Sequence, residues 1–189
     1  MAAGETAIKY GLRGLCSCTV TACAGGTNAI GDGFRNIRDG YQDVMICGGC
    51  EACITPLAIG GFTSMRALCE SEDANRASIP FDLERSGFVL GEGAGILLIE
   101  EYEHARARGA EILFEICGYG ASCDAFHITS PCEDGSGAAN CMRWALEDAG
   151  IQSEQIDYIN AHGTSTKMND LCETHAIHSV FGEHAANLA

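Results

Sequence analysis

The sequence predicts an α/β protein in which helices cover both faces of a sheet. Short apolar runs rich in β-branched residues alternate along the chain with longer segments whose apolar residues recur at three- and four-residue spacing. Glycine follows several of these longer segments, as at Gly11, Gly109 and Gly150. Alternating strands and helices are typical of a sheet buried between helical layers.

In the first part of the chain, helical and strand patterns alternate with turn residues between them. The predicted helices span residues 2–10, 27–40 and 101–108. The predicted strands span residues 19–21, 44–47 and 95–100. Pro and Gly interrupt residues 55–93, so we expect at most short helices there.

The second part of the chain repeats this alternation. Residues 112–119 and 156–159 predict strands, whereas residues 136–149 and 172–181 predict helices. No low-complexity linker or short-period repeat interrupts the pattern.

Composition excludes several classes of protein. The chain has 189 residues, of which 47% are apolar and 20% charged, so it has enough apolar residues to form a core. Its net charge of −15 argues against a nucleic-acid partner, which clustered Lys and Arg would bind. No apolar run approaches the ~20 residues that span a bilayer. We expect a cytoplasmic protein without membrane insertion.

Twelve cysteines are unusual in such a chain. Cys47, Cys50 and Cys53 have a C-x-x-C-x-x-C spacing that resembles part of an iron–sulfur or zinc ligand set. No further Cys or His follows closely enough to complete a local set of four, although a ligand from elsewhere in the chain remains an alternative. The favoured interpretation is packing of small residues, with no metal and no disulfide scaffold.

Cys23 is the candidate nucleophile. It lies at a corner between a predicted strand and a predicted helix, where free backbone N–H groups and the positive helix end favour a thiolate. The small residues 24–26 leave room for a substrate, and the Cys23 N–H can face a developing oxyanion. A purely structural cysteine is the alternative at this position.

His162 is the candidate proton or hydrogen-bond donor. It ends the predicted strand at 156–159 and precedes the hydroxyl-bearing residues 164–166. Those hydroxyls suit an amide-rich ligand, but capping of the following helix explains them equally well. The glycine-rich stretch 87–95 lacks the G-x-G-x-x-G spacing and precedes a strand, so we interpret it as tight turns and close backbone packing.

Read together, these segments resemble the elongating β-ketoacyl-acyl-carrier-protein synthases of type II fatty-acid synthesis. The resemblance covers nearly the whole chain in order. It rests on the motifs TACA at residues 21–24 followed by GT at 26–27, GGCEA at 48–52, ITPL at 54–57, MRAL at 65–68, PFD at 80–82, GFVLGEGAG at 87–95, DAFHITSP at 124–131 and NAHGTST at 160–166.

The resemblance implies a thiolase-like fold of two related βαβ halves in αβαβα layers. Residues 1–111 then form the end of the N-terminal half, which carries the nucleophilic Cys, and residues 112–189 form the beginning of the C-terminal half. Both ends of the fold are expected to be incomplete. The family's lysine motif, second catalytic histidine and glycine-rich oxyanion loop lie beyond the region that matches, so we expect no useful condensation from these 189 residues alone.

The resemblance also implies roles for individual residues. Cys23 takes the acyl group as a thioester, and His162 assists decarboxylation of malonyl-acyl-carrier protein. The other residues that match functional positions are Thr164 and Thr166 for the phosphopantetheine arm, Thr129 in a mobile loop over the active site, Arg66 near the carrier-docking surface, and Asp170 and Glu173 as supporting acids, of which Glu173 matches one that supports the active-site lysine.

By the same resemblance the complete enzyme is a homodimer that uses acyl carrier protein and needs no cofactor of its own, since phosphopantetheine arrives on the carrier. Two alternatives remain. One is a ketosynthase domain of a polyketide or polyunsaturated-lipid pathway, although such domains more often have Ser after the nucleophile. The other is a non-catalytic acyl-carrier-binding partner subunit, against which Cys23 and His162 argue together.

Overall fold

The helices and strands are distributed over two structural units. The computed structural model describes residues 1–189. Unit 1 comprises Met1–Glu51 and Gly93–Ile116, and unit 2 comprises Ala52–Glu92 and Cys117–Ala189. The predicted division at residue 111 stays a prediction, because residues 52–92 group here with the C-terminal part of the chain.

Eight regular elements follow one another along the chain, with short 3-10 turns between them. They are α1 (Ala2–Tyr10), α2 (Gly25–Arg38), β1 (Val44–Glu51), α3 (Pro56–Ser64), β2 (Gly93–Glu100), α4 (Tyr102–Ala107), α5 (Ser136–Ala149) and α6 (Lys167–Phe181). None of these helices is both long enough and apolar enough to cross a membrane.

In unit 1, β1 and β2 form an antiparallel pair whose register runs from Val44 opposite Glu100 to Glu51 opposite Gly93. One face of this pair packs on α2. Gly33 of α2 lies against Cys47 and Ile99, where a Cβ on the glycine would overlap the Cys47 sulfur. Absence of a side chain at Gly33 therefore allows the helix and sheet to approach closely and bury Cys47 and Ile99.

The opposite face of the β1–β2 pair is apolar and exposed. Ile46, Ile96 and Leu98 retain 39%, 54% and 60% of their accessible surface. They point to one side because directly opposed residues in an antiparallel pair share a face. The expectation of helices on both faces is thus met on one face of this sheet.

Three predicted strands, at 19–21, 112–119 and 156–159, are not assigned as strands. Strand propensity is a local property, whereas a strand also needs a hydrogen-bonding partner. The 112–119 segment instead leads into a close packing contact: a Cβ on Gly118 would lie 2.5 Å from the Ala145 carbonyl oxygen of α5.

Residues 156–159 do begin to pair. The Ile159 N–H donates to the Ala189 carbonyl oxygen at 3.1 Å, and the Ala189 N–H donates to the Asp157 carbonyl oxygen at 3.0 Å. One residue bonded in this way to two residues spaced two apart is the pattern of parallel strands. Because α6 lies between the two segments in the sequence, this pairing has the connectivity of a βαβ unit.

Most predicted helices agree with the structure. The bounds of α1 and α5 are those expected, and Gly11 and Gly150 end them in the left-handed conformation with φ of 66° and 67°. Helix α6 begins five residues earlier than predicted. Its N-cap is Thr166, whose Oγ1 accepts a hydrogen bond from the Asn169 N–H at 3.3 Å.

Glu100, at the end of β2, gives the fold a testable acid sensitivity. Arg108 donates two hydrogen bonds to its carboxylate, at 2.7 and 2.6 Å, and His104 also contacts it. These contacts, led by Arg108 and opposed by burial, lower the pKa of Glu100 from 4.5 to about 2. Glu100 therefore contributes stability that is complete above pH 4.5 and is lost as the pH falls toward 2.

We predict that Glu100→Gln lowers the free energy of unfolding at neutral pH and flattens its decline between pH 4.5 and 2. Urea unfolding at a series of pH values measures both effects. Glu103→Gln is the matched control, because Glu103 forms an exposed ion pair with Arg106 on the same helix. An acid limb of unchanged slope in Glu100→Gln would contradict the assignment.

Candidate functional site

Cys23 lies in unit 1 in the 3-10 turn Ala22–Ala24, which leads directly into α2. Its side chain is exposed, and its N–H donates to no acceptor in the chain. The preceding residue, Ala22, has a φ of 49°, a conformation that non-glycine residues rarely adopt. The structure thus has a sharp corner at Cys23, with an exposed thiol and an unpaired N–H at the start of a 14-residue helix.

Two contacts with α2 hold this corner in place. The Asn28 side chain donates to Thr21 Oγ1 at 3.0 Å, and Thr19 Oγ1 donates to Asp32 Oδ2 at 3.1 Å. The first turn of α2 also approaches the β1 backbone, since a Cβ on Gly26 would lie 3.4 Å from the Gly49 nitrogen. The contact is tighter from the strand side, since a Cβ on Gly49 would lie 3.0 Å from the Gly26 Cα, so the glycine of β1 allows the close approach.

The cysteines in and after β1 have separate environments. Cys47 is buried on α2, and burial, followed by the charge of Asp32, raises the pKa of its thiol. Cys53 donates to the Gly91 carbonyl oxygen at 3.4 Å, whereas Cys50 is exposed. All twelve cysteines are free, and no group of three His, Cys, Asp or Glu side chains is arranged to hold a metal ion.

His162 lies in unit 2, on the loop before α6, and Glu173 of α6 holds its backbone. The Glu173 carboxylate accepts the His162 N–H at 2.6 Å and the Gly163 N–H at 2.9 Å. The imidazole itself is exposed and makes no hydrogen bond within the chain. The loop is therefore fixed through its backbone while the ring stays available to a substrate.

The three hydroxyl residues after Gly163 have different surroundings. Ser165 is fully buried, and its Oγ accepts the Ile79 N–H at 3.1 Å. Thr164 Oγ1 and Thr166 Oγ1 lie 2.8 Å apart, and Thr164 Oγ1 also accepts the Thr166 N–H at 3.3 Å. The helix-cap interpretation is correct for Thr166, but neither threonine is fully buried.

Asp170 is the buried acid of this region, with 1% of its side chain exposed. Its Oδ2 accepts the Phe81 N–H at 2.8 Å and lies 3.3 Å from Nε of Arg85. Arg85 is a residue that the sequence analysis missed. No local pattern identifies it, because its partners Thr166 and Asp170 are more than 80 residues away along the chain.

Thr129 lies in unit 2 on an exposed loop whose backbone is held by His127. The His127 Nδ1 accepts the N–H groups of both Thr129 and Ser130 at 3.1 Å. Asp124 Oδ2 accepts the Cys132 N–H at 2.9 Å farther along the loop. The Thr129 hydroxyl has no hydrogen-bond partner within the chain.

Arg66 lies just beyond the end of α3, where it has a φ of 55° and an exposed side chain. No carboxylate of the chain pairs with its guanidinium group, despite 26 Asp and Glu residues. The next residues are held by an isolated parallel bridge between Leu68 and Phe88. Arg66 is therefore an exposed cation available to an external anion.

The structure brings the predicted residues on and before α6 into two hydrogen-bonded groups. Glu173 accepts the His162 N–H in one group, and Thr164, Thr166 and Asp170 form the other. Thr129 and Arg66 belong to the same unit without a hydrogen bond to either group. Cys23 belongs to unit 1.

Two family models together match almost the whole chain. The family model described as "Beta-ketoacyl synthase, N-terminal domain" matches residues 1–105, and that described as "Beta-ketoacyl synthase, C-terminal domain" matches residues 113–189. The first alone covers more than half of the chain. The chain belongs to the β-ketoacyl synthase family.

Curated relatives include two named 3-oxoacyl-[acyl-carrier-protein] synthase 2. The one from Synechocystis sp. is 56% identical over 190 aligned positions, covering 100% of this chain and 46% of the relative. The one from Staphylococcus aureus is 51% identical over 188 positions, covering 100% of this chain and 47% of the relative. The chain thus spans about half the length of the curated relatives it matches.

Solved structures confirm the fold class. A type II PKS acyl-carrier protein in complex with its ketosynthase matches with a TM-score of 0.96 at 44% identity, over 99% of this chain and 46% of that chain. A Beta-ketoacyl synthase from Burkholderia phymatum matches with a TM-score of 0.88 at 41% identity, over 95% and 44% of the two chains. The thiolase-like α/β fold expected from the sequence is confirmed.

The buried pair of Asp170 and Arg85 yields a prediction about stability. We expect Asp170→Asn to lower the free energy of unfolding by about 3 kcal/mol, because Arg85 is left largely buried without its counter-charge. Urea unfolding measures the change.

Glu84→Gln is the matched control for this prediction, since Glu84 pairs with Arg76 but is 75% exposed. We expect that control to change the free energy of unfolding by less than about 0.5 kcal/mol. Equal effects of the two substitutions would contradict the importance of the buried pair.

Proposed function

We propose that the protein is an elongating β-ketoacyl-acyl-carrier-protein synthase, an acyltransferase of fatty-acid biosynthesis. The observation that carries this proposal is an exposed Cys23 at the start of α2 in a chain 56% identical to a 3-oxoacyl-[acyl-carrier-protein] synthase 2. Its substrates are an acyl thioester and a malonyl thioester, both on acyl carrier protein.

The first step is acyl transfer to Cys23. The Cys23 thiolate attacks the carbonyl of the acyl thioester, and the unpaired Cys23 N–H is a suitable donor to the oxyanion that forms. Collapse of that intermediate breaks the carbon–sulfur bond to the carrier. The carrier thiol leaves with a proton, and the acyl group stays on Cys23 as a thioester.

The second step is decarboxylation of the malonyl thioester. The bond between the α-carbon and the carboxylate carbon breaks, and carbon dioxide leaves. The electron pair of that bond stays with the thioester and forms an enolate with negative charge on the thioester oxygen. His162 is suited to donate a hydrogen bond to that oxygen because its ring is exposed and its backbone is held by Glu173. The enolate carbon then attacks the acyl-Cys23 carbonyl and releases the Cys23 thiolate, which gives a β-ketoacyl chain longer by two carbons.

The other residues are proposed to bind and support. Thr164 and Thr166 hold the phosphopantetheine arm, and Thr129 contributes from its loop. Arg66 binds acidic groups of the carrier protein, for which its unpaired guanidinium is suited. Asp170 and Glu173 support the His162 loop through the hydrogen bonds already described. No cofactor of the protein's own enters this scheme.

The complete protein is proposed to act as a cytoplasmic homodimer with acyl carrier protein as its partner. The curated relatives support the carrier, since their names place an acyl carrier protein in the reaction. The solved complex of a ketosynthase with its acyl-carrier protein supports a direct contact of this kind.

A ketosynthase of polyketide synthesis is the second candidate function. It is favoured by the TM-score of 0.96 with the ketosynthase of a type II PKS. The higher identity to the fatty-acid synthases and the small residues 24–26 favour elongation. The two candidates differ in whether repeated condensation occurs without reduction of the keto group, which product mass shows directly.

We predict that Cys23→Ala in the full-length protein abolishes formation of the acyl-enzyme from acyl-acyl-carrier protein. Intact-protein mass spectrometry detects the acyl adduct, and peptide mapping locates it. Cys18→Ala is the control, because Cys18 is also an exposed free cysteine and lies five residues before Cys23. Retention of the normal adduct by Cys23→Ala would overturn the assignment.

We predict that His162→Ala keeps acylation of Cys23 but slows release of carbon dioxide from malonyl-acyl-carrier protein by about 100-fold, the contribution typical of one positioned donor or acid. Malonyl-acyl-carrier protein labelled at the free carboxylate carbon measures the rate at which carbon dioxide is released. His178→Ala is the control, because His178 is also an exposed histidine of unit 2 but lies near the far end of α6. Decarboxylation at the unsubstituted rate would remove His162 from the mechanism.

A further inference from the structure

We propose that Arg85 is a positioning residue that directs the spare hydroxyl proton of the Thr164–Thr166 pair toward the amide-bearing arm of the substrate. This inference rests on the proposed function and adds a residue to it. Arg85 lies in the loop between α3 and β2, in the same unit as the His162 loop.

The Arg85 side chain joins two distant segments. Its Nε donates to the Thr166 carbonyl oxygen at 3.1 Å and its Nη2 to the Lys167 carbonyl oxygen at 2.8 Å. Its Nη1 donates to the Asp82 carbonyl oxygen at 2.8 Å. Only 15% of the side chain is exposed. The planar fork of donors therefore holds the first turn of α6 against residues near 82, a geometry that Lys cannot reproduce.

The charge of Arg85 acts on Asp170. Nε lies 3.3 Å from Asp170 Oδ2, which also accepts the Phe81 N–H. The other oxygen, Oδ1, accepts from Asn169 Nδ2 at 3.2 Å and lies 3.5 Å from Thr164 Oγ1. Thr164 therefore has a choice between two acceptors, the Asp170 carboxylate at 3.5 Å and the Thr166 hydroxyl at 2.8 Å.

Counting hydroxyl protons shows why that choice matters. The two threonines have two O–H protons, and one is used in the 2.8 Å bond between them. If Thr164 donates to Thr166, the Thr166 proton is left for a substrate carbonyl. If Thr166 donates to Thr164, the spare proton goes to Asp170 instead. A carboxylate that already pairs with Arg85 attracts the Thr164 hydroxyl proton less strongly. Arg85 therefore favours the arrangement in which Thr164 donates to Thr166.

Backbone conformation in the same region is consistent with a functional constraint. Phe81 and Ser165 are non-glycine residues with φ of 65° and 66°; Phe81 contacts Asp170, and Ser165 lies between the two threonines in the sequence. The Phe81 N–H binds Asp170, while the Ser165 carbonyl oxygen accepts the Gly87 N–H at 3.0 Å. A backbone conformation of this kind is costly and persists only where surrounding contacts hold the residue in it. Such conformations concentrate at ligand sites.

The test compares two malonyl thioesters with the full-length protein. Malonyl-pantetheine carries the amide groups of the arm, whereas the ethyl thioester of malonate has none. For Arg85→Met we expect KM for malonyl-pantetheine to rise about tenfold, the effect of one lost hydrogen bond, and kcat to change less than about twofold. For the ethyl thioester we expect both constants to stay within about twofold.

Arg85→Lys separates positioning from general support of the fold. Lys keeps the charge beside Asp170 but loses the planar fork of donors. We therefore expect thermal stability to fall in both Arg85→Lys and Arg85→Met. We expect KM for malonyl-pantetheine to lie within about threefold of the unsubstituted value in Arg85→Lys only. Arg85→Gln serves as the neutral variant if Arg85→Met does not fold. Arg76→Lys is the matched control, because Arg76 makes only exposed ion pairs nearby.

A double-mutant cycle completes the test. Thr166→Val removes the proposed donor. In a protein that carries Thr166→Val, the further substitution Arg85→Met should therefore raise KM by less than about twofold. Equal impairment of the two thioesters by Arg85→Met, equal KM values for the Lys and Met variants, or additive effects in the cycle would each overturn the inference alone. Absence of condensation by the unsubstituted full-length protein with either thioester would overturn the proposed function, and the inference with it.

Discussion

The buried ion pair between Arg85 and Asp170 is the interaction that holds the loop near residue 82 against the start of α6, the helix that follows His162. An ion removed from water is tolerable only when its charge and its hydrogen-bonding groups are all satisfied. Asp170 meets that condition with the Phe81 N–H, Asn169 and Arg85 together, and Arg85 meets it with three carbonyl oxygens. The arrangement requires the loop near residue 82 and the start of α6 to stay in one geometry.

A different constraint governs the nucleophile corner in unit 1. There the determining feature is the close approach of α2 to the β1–β2 pair, made possible by Gly33 and Gly49. Cys47 fills the space at Gly33, which accounts for one unusual cysteine by packing. The corner is held where it joins α2, while the Cys23 thiol remains exposed.

Sequence patterns predicted the features that are encoded locally. Helices α1 and α5 follow from apolar periodicity and a terminal glycine, and their bounds agree with the structure. The motifs around Cys23 and His162 are local sequence features, and they are sufficient to identify the family. Features that depend on distant pairing were not predictable: residues 112–119 lack a strand partner, and Arg85 finds its partners more than 80 residues away. Periodicity describes a segment alone, whereas burial and charge pairing are properties of the folded chain.

The reaction proposed for the full-length protein joins two carrier-bound thioesters with loss of carbon dioxide. The most direct measurement is the mass of the carrier-bound product after the full-length protein is incubated with acyl- and malonyl-acyl-carrier protein. We expect a β-ketoacyl chain two carbons longer than the starting acyl group, with one carbon dioxide released for each product molecule. Hydrolysis of the acyl group with the malonyl thioester left intact would contradict it.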